Sequence, residues 1–150
     1  MDNLEIKRSL IEICKEKQQE SINNIKFVMD DAQKSANEYG QPKDRYDSYR
    51  MQLLRKKDMF ASQFQKAIEQ METLNKINVS KKTELVTFGS LIFTDDQNIL
   101  VAISLGKIML GDEMYYAISP NVPFYQAMQN CKKGDEFEFR GRKIKILDIV

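Results

Sequence analysis

Glu38-Tyr39-Gly40-Gln41-Pro42-Lys43-Asp44 is the stretch on which the fold turns, because Gly40 and Pro42 are the only glycine and proline before Ile77. Gly40 stands where a helix takes a left-handed C-terminal cap, and Pro42 suits the first turn of a following helix. Both flanks read as long helices. Downstream, apolar residues recur every seven positions at Tyr46, Leu53, Phe60, Ala67 and Leu74, with Tyr49, Phe64, Met71 and Ile77 beside them. That is a heptad seam rather than the broad apolar face of a globular helix. Upstream the seam is Leu4, Ile11, Ile25, Ala32 and Tyr39, supplemented by Cys14, Ile22 and Val28, with Gln18 and Ser21 interrupting it. Helices separated by so short a break must turn back on each other. Residues 1–78 are therefore expected to form an antiparallel coiled-coil helical hairpin, each arm roughly 50 Å long at ~1.5 Å per residue.

Beyond a polar connection at residues 78–82 the apolar period changes from seven to two. Strands are expected at 85–94, 99–104, 114–119, 136–139 and 143–150, separated by turn-forming Asp, Asn and Gly clusters. Phe124, Ala127, Met128 and Cys131 fall at helical spacing and mark one short helix. Residues 79–150 thus read as a small, mostly antiparallel α+β domain, near the lower size limit for independent stability. The chain as a whole is of the α+β class.

Composition narrows the chemistry. The 150 residues carry 23 Lys and Arg against 22 Asp and Glu, a net charge of +1, which argues against attachment to nucleic acid or lipid by bulk charge. Histidine is absent, so the commonest general base and the commonest zinc ligand are missing. Cys14 and Cys131 are far apart and form no metal or thioredoxin-type pair. With no apolar run of membrane-spanning length and no signal-peptide layout, a soluble, cytoplasmic protein is expected.

A rod buries little surface and normally exists to reach something, which draws attention to its tip. Between Asp30 and Asp47 five acids (Asp30, Asp31, Glu38, Asp44, Asp47) are counted against Lys34, Lys43 and Arg45. Acids there also suit a helix start. Three stretches resemble the bacterial Gre transcript-cleavage factor family. Glu38-Tyr39-Gly40-Gln41-Pro42-Lys43-Asp44 is similar to its Glu-His-Gly-Asp-Leu-Lys-Glu tip. Val86-Thr87-Phe88-Gly89-Ser90 is similar to its Val-x-Phe-Gly-(Ser/Ala) segment, and Ser119-Pro120, Ala127-Met128 and Gly134-Asp135 follow in the family's order.

The resemblance implies a second domain of FKBP-like fold and an accessory factor of RNA polymerase, not an enzyme in itself. In that family the C-terminal domain docks at the rim of the polymerase secondary channel, and the hairpin delivers tip carboxylates to the catalytic magnesium. Carried onto this chain, Asp44 is the main carboxylate and shares the polymerase metal, with Gln41, Asp47 and Glu38 as neighbours. Lys43 and Arg45 are placed to contact RNA or polymerase acids, and Ser119 and Pro120 to dock. Nascent RNA is met only within the channel. No cofactor of its own, no membrane and a monomer are expected. Gln41 stands where the family has an Asp, and a neutral amide recruits a hard cation less well than a carboxylate. One alternative is therefore a channel-binding regulator or inhibitor without cleavage activity. Another is an FKBP-like prolyl isomerase or chaperone, which needs an aromatic-lined cleft. A third is a coiled-coil scaffold without a polymerase partner.

Overall fold

The Asp2 carboxylate accepts a hydrogen bond from the Glu5 amide at 2.8 Å. It thereby caps the first turn of α1, which runs Asn3–Glu38. The computed structural model describes residues 2–38 and 48–150. A second long helix, α2 (Ser48–Asn75), is followed by β1 (Leu91–Thr94), β2 (Asn98–Val101), β3 (Gly106–Leu110) and β4 (Glu113–Ile118). A short helix, α3 (Pro123–Met128), then leads to β5 (Glu136–Phe139) and β6 (Arg142–Ile149). The chain is α+β, with an N-terminal helical hairpin followed by a small sheet domain, as its sequence pattern implies. The expected turn at Gly40 and Pro42, and the seam positions Tyr39 and Tyr46, lie outside the described residues. Two compact units are formed: Glu16–Glu72, and Met1–Lys15 together with Thr73–Val150.

In the helical unit the Gln18 side chain decides the register. It is 3% exposed, and its amide nitrogen donates to the Ala67 carbonyl at 2.9 Å and to Gln70 Oε1 at 3.2 Å. Gln18 is thus a member of the seam rather than a gap in it, set against a small residue that leaves room for the amide. Moving up α1 and down α2 by sevens brings Ile25 level with Phe60, and Ala32 level with Leu53. Past Gln18 the inward residues are Ile22, Ile25, Met29, Ala32 and Ala36, while Ser21 is exposed. Two successive steps of four, from Cys14 to Gln18 to Ile22, shift the stripe around the helix; a strict heptad does not do this. Tyr49, expected beside the seam, is exposed instead.

In the other unit the six strands form one sheet in the order β3-β4-β2-β1-β6-β5. The β2–β4 pair is parallel and every other neighbouring pair is antiparallel. The core gathers Val86, Ile92, Ile99, Val101, Tyr125, Met128, Phe137, Ile144, Ile146 and Ile149. The β5–β6 hairpin closes through Arg140 and Gly141, both at positive φ (52° and 79°), as the tightest two-residue turn requires. The start of α1 belongs to this unit: Asn3 donates to Asp148 at 2.6 Å and Arg8 to the Val79 carbonyl at 3.0 Å.

The sheet departs from the expected strands in three places, the smallest being that the strand expected over 99–104 ends at Val101. Residues 85–90 form a folded lead-in rather than the first half of a strand. Gly89 takes φ +89°, and the buried Ser90 hydroxyl accepts from the Thr87 amide at 3.1 Å while donating to the Leu85 carbonyl at 3.1 Å. A side chain that satisfies its own backbone in this way competes with ladder pairing. Strand β3 has no counterpart among the expected strands. As an outer strand carrying exposed Lys107 and Met109, it lacks the apolar alternation that marks a buried one.

Candidate functional site

Of the tip residues singled out from sequence, Glu38 is described; Gln41, Lys43, Asp44, Arg45 and Asp47 lie outside the described residues. Glu38 ends α1, exposed, with its carboxylate 3.9 Å from the Lys34 ammonium one turn back. Such a surface pair contributes little and leaves the carboxylate open to an outside cation. Asp30 and Asp31 lie farther down the same helix and are exposed. On α2, Arg55 and Lys56 are exposed and Lys57 is half-buried, 3.9 Å from Asp58. Among the described residues, no cluster of three or more carboxylates or thiolates is arranged to hold a metal.

Ser119 and Pro120 follow the end of β4 and are half-buried. The Ser119 hydroxyl accepts from the Asn121 amide at 3.0 Å, and its carbonyl accepts from Val122 at 3.4 Å. The pair therefore forms the turn that launches α3. The other motifs also have structural work. Gly134 takes φ +91°, its amide donates to the Ile146 carbonyl at 2.9 Å, and the Asp135 carboxylate accepts from the Lys132 amide at 2.8 Å. Together they close the turn that precedes β5. Met128 is wholly buried.

Aromatic residues converge where α3 meets β5. The Phe124 ring stands edge-on to Phe137 (centroids 5.6 Å apart) and to Phe139 (5.0 Å), and the Arg140 guanidinium lies 5.1 Å over the Phe139 ring. Beside them is a hollow of about 200 Å³, bordered by Phe124, Phe139 and Ile144 and by the Arg142–Asp96 ion pair at 2.7 Å. It is smaller than the roughly 300–1,000 Å³ usual for an organic ligand. Burial and the nearby Asp135 carboxylate push the Cys131 thiol pKa up, which disfavours the reactive thiolate.

One charged residue escaped the sequence reading. Lys7 occupies an inward position of α1, and burial pushes its ammonium pKa down. Its seven-residue spacing to Cys14 was the available signal, hidden because lysine is normally read as surface.

No protein-family model matches this chain, and no curated protein does. Among solved structures it is similar to the transcription factor Gfh1, at 17% identity over 90% of this chain and 92% of that one, with a TM-score of 0.34. It is also similar to GreA factor homolog 1 (Gfh1) of Thermus thermophilus, at 14% identity over 91% and 94%, with a TM-score of 0.36. Among the described residues, no helix is long and apolar enough to cross a membrane.

Proposed function

We propose that this chain is a Gre-like regulator of transcription elongation: it docks on RNA polymerase at the secondary channel and inserts its coiled-coil tip to promote cleavage of backtracked RNA. The observation that carries the reading is the antiparallel pairing of two long helices through Gln18 and Ala67, on either side of a break rich in acids. A paired rod of this kind is stiff along its length and suits reaching into a narrow channel. The polymerase supplies the metal chemistry. This chain supplies position: Asp44 as the leading carboxylate, Gln41, Asp47 and Glu38 around it, Lys43 and Arg45 toward RNA or polymerase acids, and the sheet domain with Ser119 and Pro120 as the docking end. Such a factor works in the cytoplasm as a monomer, because the hairpin satisfies its own seam.

The test is to incubate the protein with core RNA polymerase stalled in a backtracked complex. Co-purification with the polymerase and shortening of the RNA, abolished by Asp44→Ala, support the reading. Gln41 favours a second outcome. An amide in place of the family's Asp weakens the pull on a second magnesium, and binding without shortening assigns the chain to regulation or inhibition at the same channel. Failure to bind polymerase overturns both.

A further inference from the structure

Exposed large apolar side chains are spread unevenly over the helical unit. Phe27, Tyr49, Met51 and Met59 are exposed, Phe27 by 72%. Among the described residues of that unit, none lies at 16–26 or 60–72. With Ile25 level with Phe60 and Ala32 with Leu53, Met59 stands level with Lys26, Arg55 with Asp30 and Met51 with Lys34. The exposed apolar groups therefore fall in one stretch, which on α1 runs from Phe27 to Glu38, about 17 Å. Phe27 is two positions from each of the inward residues Ile25 and Met29. Two residues turn roughly 200°, so its ring faces away from α2. Its neighbours one turn off are Asn23, Asn24, Asp30 and Asp31, all exposed, and none of them shields an aromatic ring. On α2, Met51 and Arg55 stand two positions either side of Leu53 and face away from α1 by the same rule. Met59 continues that row one turn on, and all three are exposed. The two outer faces also differ in charge. Among the described residues, Asp30 and Asp31 on one face and Arg55 on the other make no ion pair.

We propose that a protein channel encloses this stretch on both outer faces. Its wall is basic, with an apolar recess, where it meets Phe27, and acidic where it meets Met51, Arg55 and Met59. A single exposed apolar residue is ordinary, but here they stand on opposite faces at the same levels and stop together. A flat partner covers one face of a helix pair and leaves the other wet; only a surrounding one dries both. Aromatic rings rimmed by polar groups are the usual anchors of an interface, and methionine adapts to an irregular wall. Opposite charges on the two faces fix which one turns to which wall. The inference rests on the polymerase reading above, and adds to it the depth of entry, to the level of Phe27, and the chemistry of the two walls.

Hydroxyl-radical footprinting of the full chain, free and bound to core RNA polymerase and read by mass spectrometry, tests this. Phe27, Met51 and Met59 should all react in the free chain and all lose most of that reactivity in the complex. Phe27→Gln and the double variant Met51→Gln/Met59→Gln leave the seam intact and should keep the parent's melting curve. Each should weaken polymerase binding about tenfold. Lys66→Gln, exposed in the part of the unit without exposed apolar groups, should bind as the parent does. If the parent chain does not bind polymerase, the transcription reading falls and this inference with it. If it binds while either Phe27 or the methionine pair stays as reactive as in the free chain, the enclosure alone is overturned. The same holds if the substituted chains bind as tightly as the parent. Protection that develops on concentrating the chain without polymerase also overturns it, and identifies a second copy as the occupant.

Discussion

The helical unit and the sheet unit bury their side chains in opposite ways. Between Glu16 and Glu72 the described buried residues follow one stripe, and a polar group, Gln18, is a member of it. In the sheet unit, residues far apart in sequence share one core: Val86, Ile99, Met128 and Ile146 belong to the same cluster. The lesson is that a stripe specifies register, because sliding one helix strands the Gln18 amide. A shared core specifies the fold, because removing one member leaves a cavity that many neighbours line.

Substitutions can break or sharpen that contrast. The largest effect is expected at Ile146→Ala, in the wholly buried centre of the sheet unit. It should cost about 2–5 kcal/mol, read from urea unfolding, and hydrogen exchange should show protection lost throughout the sheet but retained in the helical unit. Next comes Gly89→Ala. The new methyl group meets Ile77 Cγ2 at 3.3 Å on a backbone with φ +89°, for about 2–3 kcal/mol. Gln18→Ala should cost about 1–2 kcal/mol by leaving a cavity and an unanswered Gln70. Gln18→Leu should instead raise the melting temperature while loosening helix register, visible as mixed oligomeric species in light scattering. Gly141→Ala, at φ +79° with nothing near the added carbon, should cost about 1 kcal/mol. Its difference from Gly89→Ala isolates the Ile77 contact.

The last effect in the series is a sign rather than a size. The Lys7 ammonium pKa lies below its ordinary 10.5 because burial disfavours the charge. Between that lowered value and 10.5 the unfolded chain holds more protons than the folded one, so stability rises with pH. Lys7 therefore contributes stability present above 10.5 and lost as pH falls through the lowered pKa. Melting curves of the parent chain relative to Lys7→Met should show this rise through the alkaline range; a flat or falling difference contradicts it.

Much of this was legible in the sequence. The spacing of Leu53, Phe60, Ala67 and Leu74 announces the seam of α2, since local repetition is enough to define a stripe. The limits of β5 at Glu136 and Phe139 follow from alternation between the turns at Gly134 and Gly141. What could not be read depends on partners distant in sequence. Gln18 reads as an interruption until Ala67 stands opposite, and residues 85–90 read as a strand until the Ser90 hydroxyl binds the loop to itself. Lys7 donates to the Lys81 carbonyl 74 positions on, and no periodicity announces that contact. Of the proposed tip, Glu38 is described as exposed, while the roles of Asp44 and Gln41 stay with the resemblance that suggested them.

The pairing of Gln18 with Ala67 has a bearing on how such a rod changes length. Across two strands running in opposite directions, the numbers of residues at one level keep a constant total. Deleting seven residues from both helices, on the side away from Gln18, preserves every remaining partnership and shortens the arm by about 10 Å. Trimming a single strand misaligns everything beyond the cut. Reach is thus quantised: this architecture can be retuned to a deeper or shallower destination only in matched increments, taken from both arms at once.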